Sequence, residues 1–415
     1  MPDLQRFRFA AEHHAIVAKH WDDSVATAPP GPMPFLDADF VREQRDYCGL
    51  DPDLDAELAR CAAQIDASDD LRLLFWHCHR RLFVHPGPAG FEHWPLTFEE
   101  LGDASGLLYL LVGLSMVPAV KAAHAALGAE ASVTAETCRQ IWCFNENYKV
   151  GREGRSGILA HDLDWLRNYV DGSLFRRGRF EYRLVELPQP LRALRHRRSG
   201  EVVVLMPPGT WLDGDGFVVD PDDPSARWES TLRQSDRSIE GCPVDSRGTA
   251  QNIRVTLSTS QWATILAPGD LVLDMHIPAG GGMKPDLCAE SFASAFEFFD
   301  RMFPDRLANA VFCTSWIFNP LFEQRLPDSN FAGLMREVFL FPVRSDAGAG
   351  LDFVFCRDYD DWSQAPCRTR LQRTMIDVHT SGGKLRVGGM LFFRDELDRF
   401  GTRPYRSKTG RVEST

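Results

Sequence analysis

Two hydrophobic spacings divide the chain. From the start to about residue 170 the apolar positions recur every three or four residues, the repeat that lines one side of a helix. Leu54, Leu58, Cys61 and Ile65 share a face of the run Asp53 to Ile65, Leu71 to Val84 is a second amphipathic run, and Glu99 to Leu127 carries apolar helix-forming blocks interrupted at Pro118. A further helix is expected from Thr134 to Trp142, with the Thr134 hydroxyl as its cap and Glu136 near the positive end of its dipole, and another over Asp162 to Tyr169. From Leu174 the repeat shortens to two. LFRRGRFEYRLVEL alternates as a strand does, and Leu191 to Arg197 with Val202 to Leu205 flank the turn Arg198, Ser199, Gly200 as a hairpin. Asn252 to Ser258 and Trp262 to Leu266 are further strands, leading to a turn at Pro268 to Asp270.

The most informative stretch follows that turn. In DLVLDMHI, Leu271, Leu273, Met275 and Ile277 alternate with Val272, Asp274 and His276, a strand that delivers Asp274 and His276 to one side. Pro278, Ala279, Gly280, Gly281, Gly282, Met283 and Lys284 make a loop in which glycine lets a ligand approach the backbone closely. Pro285 suits a first helical position, and Cys288, Phe292, Ala295, Phe296, Phe299 and Phe303 fall on one helical face. A helix amino terminus behind a glycine loop presents unpaired N–H groups to an anion, most often a phosphate, and Lys284 strengthens that preference. A bare glycine run lacks the spaced glycines of a P-loop or dinucleotide fingerprint and is more often a plain turn. The imidazole of His276 beside it argues for a site.

Beyond the helix, Asn309 to Trp316 alternates again, with Val311, Cys313 and Ser315 on one face. Two strands joined by a helical crossover are usually parallel neighbours, which would bring Cys313 and Ser315 near Asp274 and His276. A short helix is expected from Asn319 and Pro320, another capped by Ser329 and running to Phe339, a short strand over Leu351 to Cys356, a helix over Arg368 to His379, and a closing strand from Lys384 to Phe393. The expected class is α+β: a helical domain over 1–170, a mixed-sheet α/β domain over 171–405 and a polar tail over 406–415.

Composition narrows the function. With 415 residues, 44% hydrophobic and 25% charged, the chain can hold two or three cores, and its formal net charge of -12 opposes a nucleic-acid partner. The one dense basic cluster, Arg192, Arg195, His196, Arg197 and Arg198, reads as an arm of the hairpin. The longest apolar run, Gly106 to Pro118, reads as too short for a bilayer, and the amino terminus carries no apolar leader. Ten cysteines without a C-x-x-C pair suit a reducing cytoplasm. His77, Cys78, His79 and His85 invite a zinc reading, but neighbours two apart on a helix point apart, so packing is expected there and no metal site.

The runs LFRRGRFEY, GCPVDSRG, LAPGDLVLDMHIPAGGGM, ESFASAFEFF, CTSWIFNPLFEQRLPDSNF and SGGKLRVGGMLFF, with LLYLLVGLSMVP and HDLDWLRNYVDGSLF in the helical part, resemble the bacterial acyltransferase-domain proteins that pair a helical amino-terminal domain with a GNAT-like carboxy-terminal domain. The similarity covers nearly the whole chain. It implies an acyl-CoA or acyl-carrier-protein donor, no metal, and an amine acceptor on a small molecule or peptide. The CoA pyrophosphate would rest on the loop from Ala279 to Met283, although the usual glutamine or arginine that opens this loop in GNAT enzymes is missing.

N-acyl transfer needs a base for the amine proton, donors for the oxyanion and an acid for the departing thiolate. His276 is the best base candidate, with Asp274 orienting it, while Ser315 or Cys313 could serve the leaving sulfur. Asn330 and His379 are weaker candidates. Two other readings stand beside this one: a thioesterase or ping-pong transferase with Cys313 or Ser315 as nucleophile, and a module that binds acyl-CoA without turnover.

Overall fold

The computed structural model describes residues 7, 13–85, 87 and 90–406. Of the expected polar tail only Arg406 falls within them, and 407–415 lie outside the described residues. The chain divides into two compact units, Met1–Arg176 with Pro278–Gly280, and Arg177–Ile277 with Gly281–Thr415.

The first unit is helical: α1 (His14–Val17), α2 (Trp21–Thr27), α3 (Ala38–Tyr47), α4 (Asp55–Asp66), α5 (Asp69–Phe83), α6 (Ser105–Leu114), α7 (Val117–Leu127), α8 (Ala131–Cys138), α9 (Gln140–Gly151) and α10 (Arg167–Val170). One hydrophobic core joins them, with Leu58, Ile65, Leu74, Phe75, Leu108 and Ile141 fully buried. Every residue of α6 is buried. The helical stretch Gly102–Leu127 is long and apolar enough to cross a membrane by length and composition, which the run from Gly106 to Pro118 taken alone does not suggest, and 72% of its apolar window is buried inside the protein. Burial on all sides is what a helix that is apolar all round requires.

Three helical expectations shift. Thr134 is no cap: it lies inside α8, which begins after Glu130, and its Oγ1 sits 3.1 Å from Nδ1 of the buried His124. The stretch read as one helix from Thr134 to Trp142 is two, because α8 ends at Cys138 and α9 starts at Gln140. Asp162 to Tyr169 is largely a 3-10 turn, Ala160–Leu166, running into α10.

The second unit is built on a six-stranded mixed sheet. Its strands are β1 (Leu174–Arg177), β2 (Phe180–Glu186), β13 (Leu271–His276), β14 (Ala310–Ser315), β15 (Phe339–Pro342) and β16 (Gly388–Phe393), in the order β1-β2-β13-β14-β16-β15. The short strands β3 to β12 (residues 192–266) form an all-β insertion between β2 and β13, organised as two smaller sheets and a five-stranded one in the order β10 (Thr249–Ala250), β9 (Pro243–Asp245), β4 (Val202–Leu205), β3 (Arg192–His196), β12 (Trp262–Leu266). The expected hairpin is there as β3 (Arg192–His196) antiparallel to β4 (Val202–Leu205). Helix α11 (Pro285–Met302) carries the chain from β13 to β14, and these two strands are parallel, as the crossover requires. Four short helices follow: α12 (Pro320–Arg325), α13 (Asn330–Glu337), α14 (Leu351–Phe355) and α15 (Arg370–Thr380). Asn319 and Ser329 cap α12 and α13 with their side chains. Leu351 to Cys356 is thus a helix and not a strand, bounded by left-handed residues at Gly350 (φ 90) and Cys356 (φ 54). Five apolar-rich residues do not fix their period, and the bounding turns decide. The closing strand begins at Gly388, later than expected.

Helix α11 packs by its aromatic face. Phe292 is fully buried, with ring centroids 5.9 Å from Phe180, 5.0 Å from Phe392 and 5.9 Å from Phe400. Phe292→Ala is expected to cost about 3–5 kcal/mol. Urea unfolding followed by circular dichroism should show a lower midpoint with an unchanged slope.

Candidate active site

The site is set by where a ladder stops. β13 and β14 are in register at Val272 with Ala310, Leu273 with Val311 and Asp274 with Phe312, and there their pairing ends. β13 nonetheless runs on against β2 as far as His276 opposite Glu181, and β14 runs on against β16 as far as Ser315 opposite Gly388. The two parallel strands therefore part at their carboxyl ends.

Register also assigns faces, because directly opposed residues project to the same side. Asp274 faces Arg183 and His276 faces Glu181 across β2 and β13. These four share a side with Phe312 and Thr314 of β14, while Val311, Cys313 and Ser315 share the other with Leu273 and Met275. Met275 is opposite Tyr182, whose hydroxyl lies 2.8 Å from Ser291 Oγ on α11, so α11 covers that second side. The expected meeting of Cys313 and Ser315 with His276 is therefore not found. Alternation along β13 and β14 puts them on opposite faces of the sheet.

On the first side lies a carboxylate held from two directions. His276 Nε2 is 3.2 Å from Asp274 Oδ2, and Arg183 Nε donates to the same oxygen at 2.8 Å. The Asp274 side chain is only 8% exposed and the imidazole 25%. Burial pushes the Asp274 carboxyl up, but hydrogen bonding and charge from His276, and then from Arg183, outweigh it and hold the group below its usual range. Sequence reasoning found His276 and Asp274. It missed Arg183 and Glu181, although their alternation in RFEYRL already placed them together on one face of β2.

Beyond His276 the loop has a backbone only glycine takes easily: Gly280, Gly281 and Gly282 have φ of 83, 71 and 65. All three are exposed, Ala279 is half-buried, the Met283 side chain is buried and Lys284 is exposed. Within the helical unit, Cys143 Sγ bonds the Ala279 carbonyl at 3.5 Å, and a side chain at Gly280 would meet the Trp142 ring at 3.2 Å. Within the sheet unit, Arg179, from the turn between β1 and β2, donates through Nε to the Gly282 carbonyl. Asn330, at the start of α13, has its amide 3.7 Å from where a Gly282 side chain would begin, so this weaker candidate does border the loop. Helix α11 opens with Lys284 as its cap residue and no side-chain cap bond, which leaves its first amides to another acceptor. Arg179 is a further cation that loop composition alone did not reveal.

The remaining candidates lie elsewhere in the structure. The Cys313 thiol is buried, and burial pushes its pKa well above the ordinary thiol value, so the reactive thiolate is suppressed. Ser315 Oγ accepts from the Ile317 amide at 3.4 Å and caps the turn after β14. His379 lies in the last turn of α15, with its ring centroid 5.4 Å from that of Trp362. In the helical unit both ring nitrogens of His77 are engaged, by Ser24 Oγ and the Val17 carbonyl at 2.8 Å each, and His79 Nδ1 is 2.8 Å from Ser115 Oγ. Burial lowers both imidazoles to about 4. Among the described residues no group of three His, Cys, Asp or Glu could hold a metal ion.

The chain thus runs from a helical unit into a mixed sheet whose two parallel strands stop pairing just before a glycine loop and a helix amino terminus. Residues 174–391 match the family model described as the GNAT-like C-terminal domain, and residues 39–172 match the N-acyltransferase N-terminal domain, so the chain belongs to this family. Among solved structures, an acyltransferase in complex with decanoyl-CoA is 20% identical, with 94% of this chain and 97% of that chain covered and a TM-score of 0.57. An acyltransferase with decanoyl-CoA and teicoplanin is 20% identical over 85% of this chain and 98% of that one, at a TM-score of 0.52. A third, with CoA and 10C-teicoplanin, is 20% identical over the same shares, at 0.51. At this identity the likeness is one of fold. No curated protein sequence matches the chain.

Because the Asp274 pKa is lowered on folding, the carboxylate adds stability above its ordinary value of about 4 and loses it as pH falls through the lowered one. Asp274→Asn should therefore flatten the fall in urea midpoint as pH drops below about 4. An equally steep fall in the variant would show that this carboxylate carries no folding linkage.

Proposed function

We propose that the protein moves an acyl group from an acyl-CoA thioester, or the phosphopantetheine of an acyl carrier protein, to an amine of a small molecule or peptide, with His276 as general base. The observation that carries the reading is the parting of β13 and β14 directly beside His276 and the glycine loop. An extended pantetheine arm, with its two amides, has the shape and hydrogen-bonding groups of a short strand and fits such an opening. The loop from Ala279 to Met283, the first amides of α11, and the cations Lys284 and Arg179 offer donors for the diphosphate. Neighbours of this fold solved with decanoyl-CoA and with CoA support the donor, and those solved with teicoplanin support a small-molecule acceptor.

In this reading the amine nitrogen attacks the thioester carbon. The N–C bond forms, the C–S bond breaks, His276 takes the proton from nitrogen, and the thiolate leaves with the bonding pair to be protonated. The ionised Asp274 stabilises the imidazolium that forms. The alternative through a covalent Cys313 or Ser315 intermediate is disfavoured, because both lie across the sheet from His276 and the thiol is buried. The reading extends to a reducing, cytoplasmic compartment, which ten free cysteines support.

The direct test mixes the protein with acyl-CoAs from acetyl to palmitoyl and a panel of aminosugars and amine-bearing peptides, and reads N-acyl products by mass. His276→Gln is expected to lower turnover about 10²–10⁴-fold while decanoyl-CoA binding, read by calorimetry, persists. Full turnover in that variant would remove His276 as the base, and binding without turnover in the wild type would favour the non-catalytic module. Gly281→Ala, forced to a φ of 71, is expected to weaken decanoyl-CoA binding and to lower the melting temperature by a few degrees.

A further inference from the structure

We infer that Thr314 is a further catalytic residue, a hydroxyl that donates to the thioester oxygen as negative charge builds on it. The inference rests on the acyl-transfer reading above and names the group that faces its base across the opening.

Asp274 and Phe312 are the last paired positions of β13 and β14. The positions two further on, His276 and Thr314, therefore stand on the same side of the sheet with the gap between them. On the outer side of each, His276 is opposite Glu181 of β2 and Thr314 is opposite Gly389 of β16. Exposure follows the parting on both strands. Phe312 is buried and Thr314 exposed, just as the Asp274 side chain is 8% exposed and that of His276 25%. Gly389 has no side chain with which to cover Thr314, and one added there would collide with the ring of Phe341, its register partner on β15.

Chemistry selects Thr314 from that wall. Its hydroxyl has no hydrogen-bond partner among the described residues. The other polar groups of β14 point to the opposite side, where Ser315 Oγ is taken by the Ile317 amide and the Cys313 thiol is buried. The backbone of Thr314 is nevertheless held, because β14 stays paired with β16 at Thr314 with Gly389 and at Ser315 with Gly388. A donor without an internal partner, on a strand paired past it, needs little rearrangement when charge develops in front of it.

When the amine nitrogen adds to the thioester carbon, the π pair of the carbonyl moves onto oxygen. Thr314 donates its hydroxyl hydrogen bond to that oxyanion from β14, while His276 on β13 takes the amine proton. The pair then returns to carbon, the C–S bond breaks and the thiolate leaves with the bonding electrons. Solvent protonates the thiolate and receives the proton of the imidazolium. Thr314 itself gains and loses no proton.

The test uses the full-length protein and decanoyl-CoA carrying ¹³C at the thioester carbon. Thr314→Val keeps the branched shape and removes the hydroxyl. In that variant the ¹³C signal of the bound thioester should move upfield of its position in the wild type. With whichever amine of the panel gives product, kcat should fall about 10²–10³-fold while decanoyl-CoA affinity, read by calorimetry, stays nearly unchanged. Thr314→Ser should restore most of both effects. An unmoved carbonyl signal or undiminished turnover in Thr314→Val would overturn the inference. If no amine is acylated, the carbonyl signal alone decides, and Thr314→Ala takes the place of Thr314→Val should the latter fail to fold. Failure of the reading beneath it looks different: a wild type that binds no acyl-CoA sinks both, whereas turnover that survives His276→Gln removes the base and leaves the Thr314 result standing.

Discussion

Hydrogen bonding between β13 and β14 ends at Asp274 and Phe312, while each strand stays paired on its outer side for two or three residues more. That single interruption organises the site. It leaves backbone edges facing each other across a gap at the carboxyl ends of two parallel strands, the end from which the glycine loop departs. The carboxylate that marks the last paired position is also the one that holds the imidazole. A sheet that stayed closed to His276 would present the same side chains with no opening beside them.

Charge is distributed in keeping with that opening. The chain as a whole is acidic, with a formal net charge of -12, yet Arg179 donates to the Gly282 carbonyl, Arg183 to Asp274, and Lys284 heads α11. In the function proposed above, cations and oriented amides at this loop would draw a phosphate-bearing donor to a protein whose net charge otherwise repels anions. Asp274 keeps its charge while almost fully buried because two donors converge on one of its oxygens.

Much of this was legible in the residues themselves. The helical repeat before residue 170, the alternation after Leu174, and the strand, glycine loop and helix from Leu271 to Met302 are present in the structure much as the periodicity implies. The pairing of Asp274 with His276 also follows from spacing. The partners from other strands did not follow, because register is a three-dimensional property: a shift of one residue between β13 and β14 would have put Cys313 beside His276 and Phe312 under α11. Arg183 was hidden for the same reason, since 91 residues of chain separate it from Asp274. Leu351 to Phe355 was misread for a different one, as its short apolar run suits either period and the left-handed residues at its ends settle the matter.

The insertion between β2 and β13 carries a consequence for folding. The helical unit is built largely from neighbours in sequence and can collapse as it leaves the ribosome. The strand that carries the carboxylate, by contrast, must find a partner laid down before the whole of residues 192–266 was made. Closing so long a loop costs chain entropy that the local contacts of the helical unit do not. A chain cut short after Val170 and before Asp274 would keep the sequence of all ten described α-helices of the first unit and lack both Asp274 and His276.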